Sequence, residues 1–116
     1  MPQPIYTVAH ITAEPSSVKD VYEALLKAVE ETRSEEGCLH YDLFRVLDNP
    51  ANWTMLEAWQ SEAALVKHTT GDAFRALSRA IEDKATIVVF RLAPVALNSG
   101  EHSTIRPSFW IGNGLP

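Results

Sequence analysis

Strand-forming and helix-forming patterns follow one another along this chain in the order strand, helix, strand, strand, helix, strand. That order constrains the fold more than any other feature of the sequence. Ile5 to Ala13 (IYTVAHITA) is β-branched or aromatic at most positions and is bracketed by Pro4 and Pro15, which predicts a first strand. Pro15-Ser16-Ser17 offers a hydroxyl N-cap before Val18, with Asp20 three residues after Ser17 as a short-armed capping box. Val18, Val21, Tyr22, Leu25, Val29 and Thr32 then recur at steps of three and four, the single apolar stripe of a solvated helix. The helix is expected to end near Glu36, with Gly37 as its C-cap.

Cys38 to Leu47 holds no breaker, Asp48-Asn49-Pro50 turns the chain, and Trp53 to Trp59 returns as the other arm of a hairpin. Ser61 can cap a helix running through Glu62, Ala64, Leu65 and His68. Gly71-Asp72 interrupts it, and Phe74, Leu77 and Ile81 continue the helical spacing to about Asp83. Ala85 to Leu92 (ATIVVFRL) is the most β-prone stretch and forms the fourth strand, ended by Pro94.

The order β-α-β-β-α-β predicts an α+β, ferredoxin-like fold: a four-stranded antiparallel sheet with two helices on one face. Both sets of alternating side chains include apolar residues, Leu39, Tyr41 and Leu43 against Cys38, Phe44 and Val46, then Trp53, Met55 and Trp59 against Leu56 and Ala58. The face without helices therefore needs a cover, and a homodimer that packs two such faces together supplies it. The 116 residues suffice for one domain, expected over 1–95. Residues 96–116, rich in Ser, Gly, Pro and Asn, form a tail in which Ile105, Phe109, Trp110 and Ile111 either dock on the partner subunit or stay a mobile end.

Composition excludes several classes of function. Ten Lys and Arg against fifteen Asp and Glu give a formal charge of -5, without the basic footprint that nucleic acid requires. Cys38 is the only cysteine, so there is no internal disulfide and no CxxC metal or redox motif. No apolar run approaches the ~20 residues that span a bilayer, and MPQPIYTVAH has neither the basic nor the apolar region of a secretion signal. The expectation is a cytoplasmic protein, with no membrane and no nucleic acid among its partners. The sequence has no GxGxxG, GxxxxGK[ST] or GxSxG, which argues against nucleotide loops and a seated nucleophilic serine.

The run EEGCLHYDLFRVLDNPANWTMLEAWQSEAALVKHTTGDAF contains an acidic-Gly-Cys turn (Glu36, Gly37, Cys38) followed by Tyr41, an Asp-x-Pro hairpin turn, Glu57-x-Trp59, and His68 with Phe74 behind it. Over residues 4 to 95 the chain resembles the antibiotic biosynthesis monooxygenase family of dimeric α/β barrels. The resemblance implies that fold, a homodimer, and a pocket between the sheet and the helices of each subunit. Similar proteins include cofactor-independent oxygenases of polycyclic phenols and quinols, haem-degrading enzymes and isomerases of small sugar-derived signals, so the fold alone names no reaction.

Glu57 and Trp59 are two apart on one strand and project from the same face. Glu57 is a candidate general base; the structural alternative is a carboxylate satisfied by backbone amides or by an arginine such as Arg33, Arg45 or Arg91. Trp59 offers an N–H donor and a flat wall for an aromatic substrate, or is simply a core tryptophan. His68, before Thr69-Thr70-Gly71, is a candidate proton acceptor, a haem ligand, or a cap on the helix end. Tyr41 can orient a substrate oxygen if its face, rather than that of His40 and Asp42, is the one shared with Glu57. Phe74 is expected to wall the pocket, and Cys38 to be a small buried hydrophobe. His10, His40 and His102 form no ligand set, so no metal is expected.

The leading expectation is a cofactor-independent monooxygenase acting on a small aromatic, quinol-like molecule, with Trp59 and Phe74 packing it and His68 or Glu57 accepting a proton. The alternative is a dimeric barrel that binds haem or another small ligand without turnover. The haem-degrading branch carries an asparagine in its first strand, and none occurs between Ile5 and Ala13.

Overall fold

The computed structural model describes residues 3–95, in the order β1 (Ile5–Ala13), α1 (Val18–Thr32), β2 (Cys38–Arg45), β3 (Asn52–Trp59), α2 (Glu62–Thr69), α3 (Asp72–Ile81) and β4 (Ala85–Leu92). The strands pair antiparallel in one sheet, β2-β3-β1-β4, that does not close on itself. This is the ferredoxin-like arrangement that the element order predicts. The sequence expectations for the 96–116 tail lie outside the described residues. No helix among the described residues is long and apolar enough to cross a membrane.

Period-2 alternation fixes which face of the sheet the helices cover. Along β1, Thr7, Ala9, Ile11 and Ala13 are buried while Tyr6, His10 and Thr12 are exposed, and on β3 Trp53, Met55 and Trp59 join the buried side. Helix α1 answers with Val21, Leu25, Ala28 and Thr32, buried at steps of four, three and four. Ile11, Leu25, Met55 and Trp59 are among the most completely buried side chains, and each apolar side chain so enclosed contributes roughly 1.5–3 kcal/mol. Helices α1 and α3 meet along a crevice bordered by Ala24, Ala28, Ala73, Ala76 and Ala80, small residues that let two helices approach closely.

Three local expectations are corrected. Helix α1 stops at Thr32 rather than near Glu36, because successive tight turns (Glu35 N–H to Thr32 O, Cys38 N–H to Glu35 O) replace the helical ladder. Gly37, at φ 85°, therefore serves the turn rather than the helix end. Ser17 makes no side-chain cap, since a 3-10 turn over Pro15–Ser17 precedes α1 and already turns the backbone. Strand β2 ends at Arg45 rather than Leu47, where a loop through Asp48 (φ 68°) begins. The break at Gly71 is as expected: Ser61 Oγ accepts from Ala64 N–H at the start of α2, and Thr70 and Gly71 N–H close its end on Val66 and His68 carbonyls.

The helices reach β2 and β3 but leave β4 largely uncovered. Val88, Phe90 and Leu92 stand half-exposed on the outer face with Tyr6 and Leu56, while Ile87 and Val89 point to the helix side.

Candidate functional site

Strand register places four polar residues of the covered face in a single row. Glu57 pairs with Tyr41 on one side and Thr7 on the other, and Thr7 pairs in turn with Arg91. The next row in the same register, Leu43, Met55, Ala9 and Val89, is wholly apolar. Tyr41 thus shares the face of Glu57, and His40 and Asp42 take the other.

Above this row lies a cavity of about 270 Å³, bounded by the sheet, Leu25 of α1, Leu65 and His68 of α2, and Phe74 and Leu77 of α3. Ile87 and Val89 of β4 complete it. Four of the five candidate residues, Tyr41, Glu57, His68 and Phe74, border this cavity. Trp59 does not. Its indole is wholly buried, stacked beneath the imidazole of His68 (centroids 4.6 Å apart, planes 28° from parallel), and its N–H donates to Glu57 Oε1 at 2.9 Å. The flat wall expected of Trp59 is therefore presented to His68, not to the cavity.

The arginines weighed as partners of Glu57 are engaged elsewhere. Arg33 bonds the Tyr41 carbonyl and Asp42, Arg91 pairs with Glu62, and Arg45 lies over the ring of Tyr22.

His68 is only 3% exposed and is enclosed on several sides. Besides Trp59, the rings of Tyr41 and Phe74 meet it in T-shaped contacts, each with ring centroids 5.5 Å away. Its Nδ1 lies 2.9 Å from Glu35 Oε1, across a separation of 33 residues. His68 thus does not cap its helix end, where backbone N–H groups already bond the free carbonyls.

The phenol of Tyr41 is held well above the usual tyrosine range, first by burial and then by the Glu57 carboxylate. It is a neutral donor throughout the ordinary pH range. The Cys38 thiol is also pushed up, by burial and then by Glu35, so it is not primed as a nucleophile. Thr7 borders the cavity, but its Oγ1 is sealed and has no hydrogen-bond partner among the described residues.

Sequence reasoning missed two residues here. Thr7 carried a usable signal, a polar side chain in the buried half of a strand alternation. Glu35 carried almost none, since one acidic residue in the pair Glu35-Glu36 looks like the other until the turn at Gly37 is known.

The sequence profile of the family described as antibiotic biosynthesis monooxygenase matches residues 4–80. Among curated proteins, "Putative monooxygenase YcnE" of Bacillus subtilis strain 168 is 33% identical over 60 residues, 52% of this chain and 63% of that protein. The match thus spans less than two thirds of that relative. Among solved structures, PA3566 from Pseudomonas aeruginosa is similar at TM-score 0.77 and 31% identity, over 83% of this chain and 98% of its own. A conserved protein from Methanosarcina mazei Go1 is similar at TM-score 0.67 and 29% identity, over 76% of this chain and 91% of its own.

Proposed function

The chain belongs to the antibiotic biosynthesis monooxygenase family, and from that premise we propose that it is a cofactor-independent monooxygenase of a small aromatic, quinol-like molecule bound in the cavity beneath α2. The observation that carries this reading is the cavity itself: apolar walls over a short polar row, with a histidine at its edge. Its volume of about 270 Å³ is roughly twice that of the ~150 Å³ apolar cavity that takes up benzene, which suits a molecule of one or two rings.

In this reading Phe74, Leu65 and Leu77 pack the ring, while the Tyr41 hydroxyl supplies a hydrogen bond to one of its oxygens. His68 takes the phenolic proton, with Glu57 as the other candidate acceptor. Glu57 is already accepting the indole N–H of Trp59, which favours His68. The electron-rich anion passes one electron to dioxygen, and recombination of the two radicals forms a carbon–oxygen bond to a peroxide; loss of the proton on that carbon then breaks the O–O bond, leaving one oxygen as a carbonyl and releasing the other, with the proton held by the base, as water. Substrate is the reductant and dioxygen the oxidant, so no further redox partner enters the balance.

A homodimer that covers Tyr6, Leu56, Val88, Phe90 and Leu92 completes the proposal, because an apolar face of this extent on a monomer is unusual. A reducing, cytoplasmic setting accords with the single cysteine.

The test is oxygen uptake by the purified protein with a panel of reduced quinones and anthrone-like phenols. His68→Ala should lower the rate by roughly 10²-fold or more, with the folded fraction measured alongside. Retention of rate in His68→Ala and its loss in Glu57→Gln would move the base to Glu57. A wild-type protein that consumes no oxygen with any of them overturns the oxygenase reading.

A further inference from the structure

We propose that Glu35 is the positioning residue of this site: its carboxylate fixes the imidazole tautomer of His68 in which Nδ1 carries the proton and a bare Nε2 is offered to the cavity. The proposal deepens the oxygenase reading and rests on it for its catalytic meaning, although the tautomer itself does not depend on turnover.

A carboxylate only accepts hydrogen bonds, so the 2.9 Å contact between Glu35 Oε1 and His68 Nδ1 requires the proton to sit on Nδ1. A neutral imidazole has a single N–H, which leaves Nε2 with a free lone pair. Nε2 makes no hydrogen bond within the described residues, yet it is not among the sealed, unpartnered polar atoms. Since the ring borders the cavity and Nδ1 is turned to Glu35, the open atom is Nε2.

The ring has little freedom to choose otherwise. Trp59 stacks on one of its faces, and Tyr41 and Phe74 meet it in T-shaped contacts, so the remaining choice is which nitrogen holds the proton. Glu35 makes that choice from a fixed place, because its own N–H and carbonyl are both tied into the turn between α1 and β2. When a substrate O–H breaks and an Nε2–H bond forms, the resulting imidazolium stays against the carboxylate that already faces it. A second crevice, bordered by Glu35, Glu36, Ala64, Lys67 and His68, lies behind the pair and keeps Glu35 partly in contact with solvent.

The experiment is a long-range 1H–15N correlation spectrum of the imidazole nitrogens in the full-length 15N-labelled protein, without substrate, over a pH series. His68 is assigned by the signals lost in His68→Gln. In the neutral form, wild type should show Nδ1 protonated and Nε2 bare, and Glu36→Ala, at the exposed neighbour, should show the same pattern. Glu35→Ala should shift the ring to a mixture or to the Nε2-protonated form. If that variant does not fold, Glu35→Leu, which keeps most of the volume, takes its place. A wild-type neutral ring protonated on Nε2, a ring that keeps both protons across the series, or a variant spectrum identical to wild type would each overturn the proposal. Where oxygen uptake is observed, Glu35→Ala should lower kcat at least tenfold with KM little changed, the pattern of a group acting through the base. Absence of oxygen uptake with the expected tautomer would sink the oxygenase reading alone, so the two failures are distinguishable.

Discussion

Gly37→Ala is a severe test of how the site is assembled, because two independent costs converge on one hydrogen atom. Gly37 adopts φ 85°, a conformation that costs an L-residue roughly 1–2 kcal/mol. A Cβ placed there would also lie 2.5 Å from the Cβ of Ala64 on α2, far inside any real carbon–carbon contact. Its next neighbours, Ala64 Cα and Gln60 Cβ, are at an ordinary 3.8 Å, so the clash is with one methyl group. Overpacking of this kind costs about 1–3 kcal/mol, which brings the expected destabilisation to about 2–5 kcal/mol. The two costs can be separated, since Ala64→Gly removes the offending methyl and leaves the backbone strain. Alone it should cost no more than about 1 kcal/mol, the helix propensity difference. Urea unfolding of wild type, both single variants and the double variant closes the cycle. The double variant should regain about 1–3 kcal/mol over the sum of the singles, with m-values unchanged. A Gly37→Ala protein within about 0.5 kcal/mol of wild type, or a coupling near zero, would refute the claim that the turn holds α2 in place. The consequence for the site is direct: Glu35 lies two residues before the glycine and His68 one helical turn after Ala64, so a shift of α2 opens the 2.9 Å contact between them.

Three further outcomes follow from the same geometry. The folded Tyr41 phenol is held above its unfolded value, so its contribution to stability is complete below about pH 10 and is lost as pH rises beyond it; relative to Tyr41→Phe, wild type should lose up to about 1.4 kcal/mol per pH unit there, and parallel unfolding curves between pH 8 and 11 would contradict this. Phe90→Asp, in the middle of the half-exposed outer face, should convert a dimer into a monomer in sedimentation at low micromolar concentration, whereas a wild-type monomer would remove the basis for the proposed assembly. Thr7→Val removes a sealed hydroxyl without a partner, so it should leave stability unchanged or raise it by up to about 1–3 kcal/mol; a clear loss of stability would show that the hydroxyl serves the fold.

The strands were legible in the sequence because they are bounded by breakers and rich in β-branched residues. β1 and β4 have the limits that Pro4, Pro15 and Pro94 suggest. The connection from α1 to β2 was not legible to the residue. Arg33-Ser34-Glu35-Glu36 has nothing that stops a helix, and only the two turns that form there end it at Thr32. Period-2 reasoning placed Glu57 and Trp59 on one face, which they share. It could not say that a tryptophan in the row beside the polar one would be buried under α2 instead of bordering the cavity. That outcome depends on where the helix after Ser61 crosses the sheet, and helix placement is a tertiary fact without a local signature. Tyr41 was reachable only by choosing a face, because the irregularity in pairing between Cys38 and His40 sets the register of β2, and a one-residue slip would have brought His40 or Asp42, according to its direction, opposite Glu57 instead.

The polar groups around the cavity argue that stability alone did not shape this part of the chain. A sealed hydroxyl without a partner typically costs about 1–3 kcal/mol, and valine would fill the position of Thr7 without that cost. His68 is also a costly choice for an almost wholly buried position, since its ring nitrogens must find partners that an apolar side chain would not need. Sealed but unpartnered atoms also occur at Thr32, Asn52 and Trp53, so an orphaned group is not by itself a sign of function. What distinguishes Thr7, Tyr41, Glu57 and His68 is convergence. All four border the same cavity of about 270 Å³, on a sheet face whose next row is wholly apolar. A ligand that brings its own oxygens would meet the Tyr41 hydroxyl and the imidazole of His68, and would recover on binding part of what the chain gives up in folding.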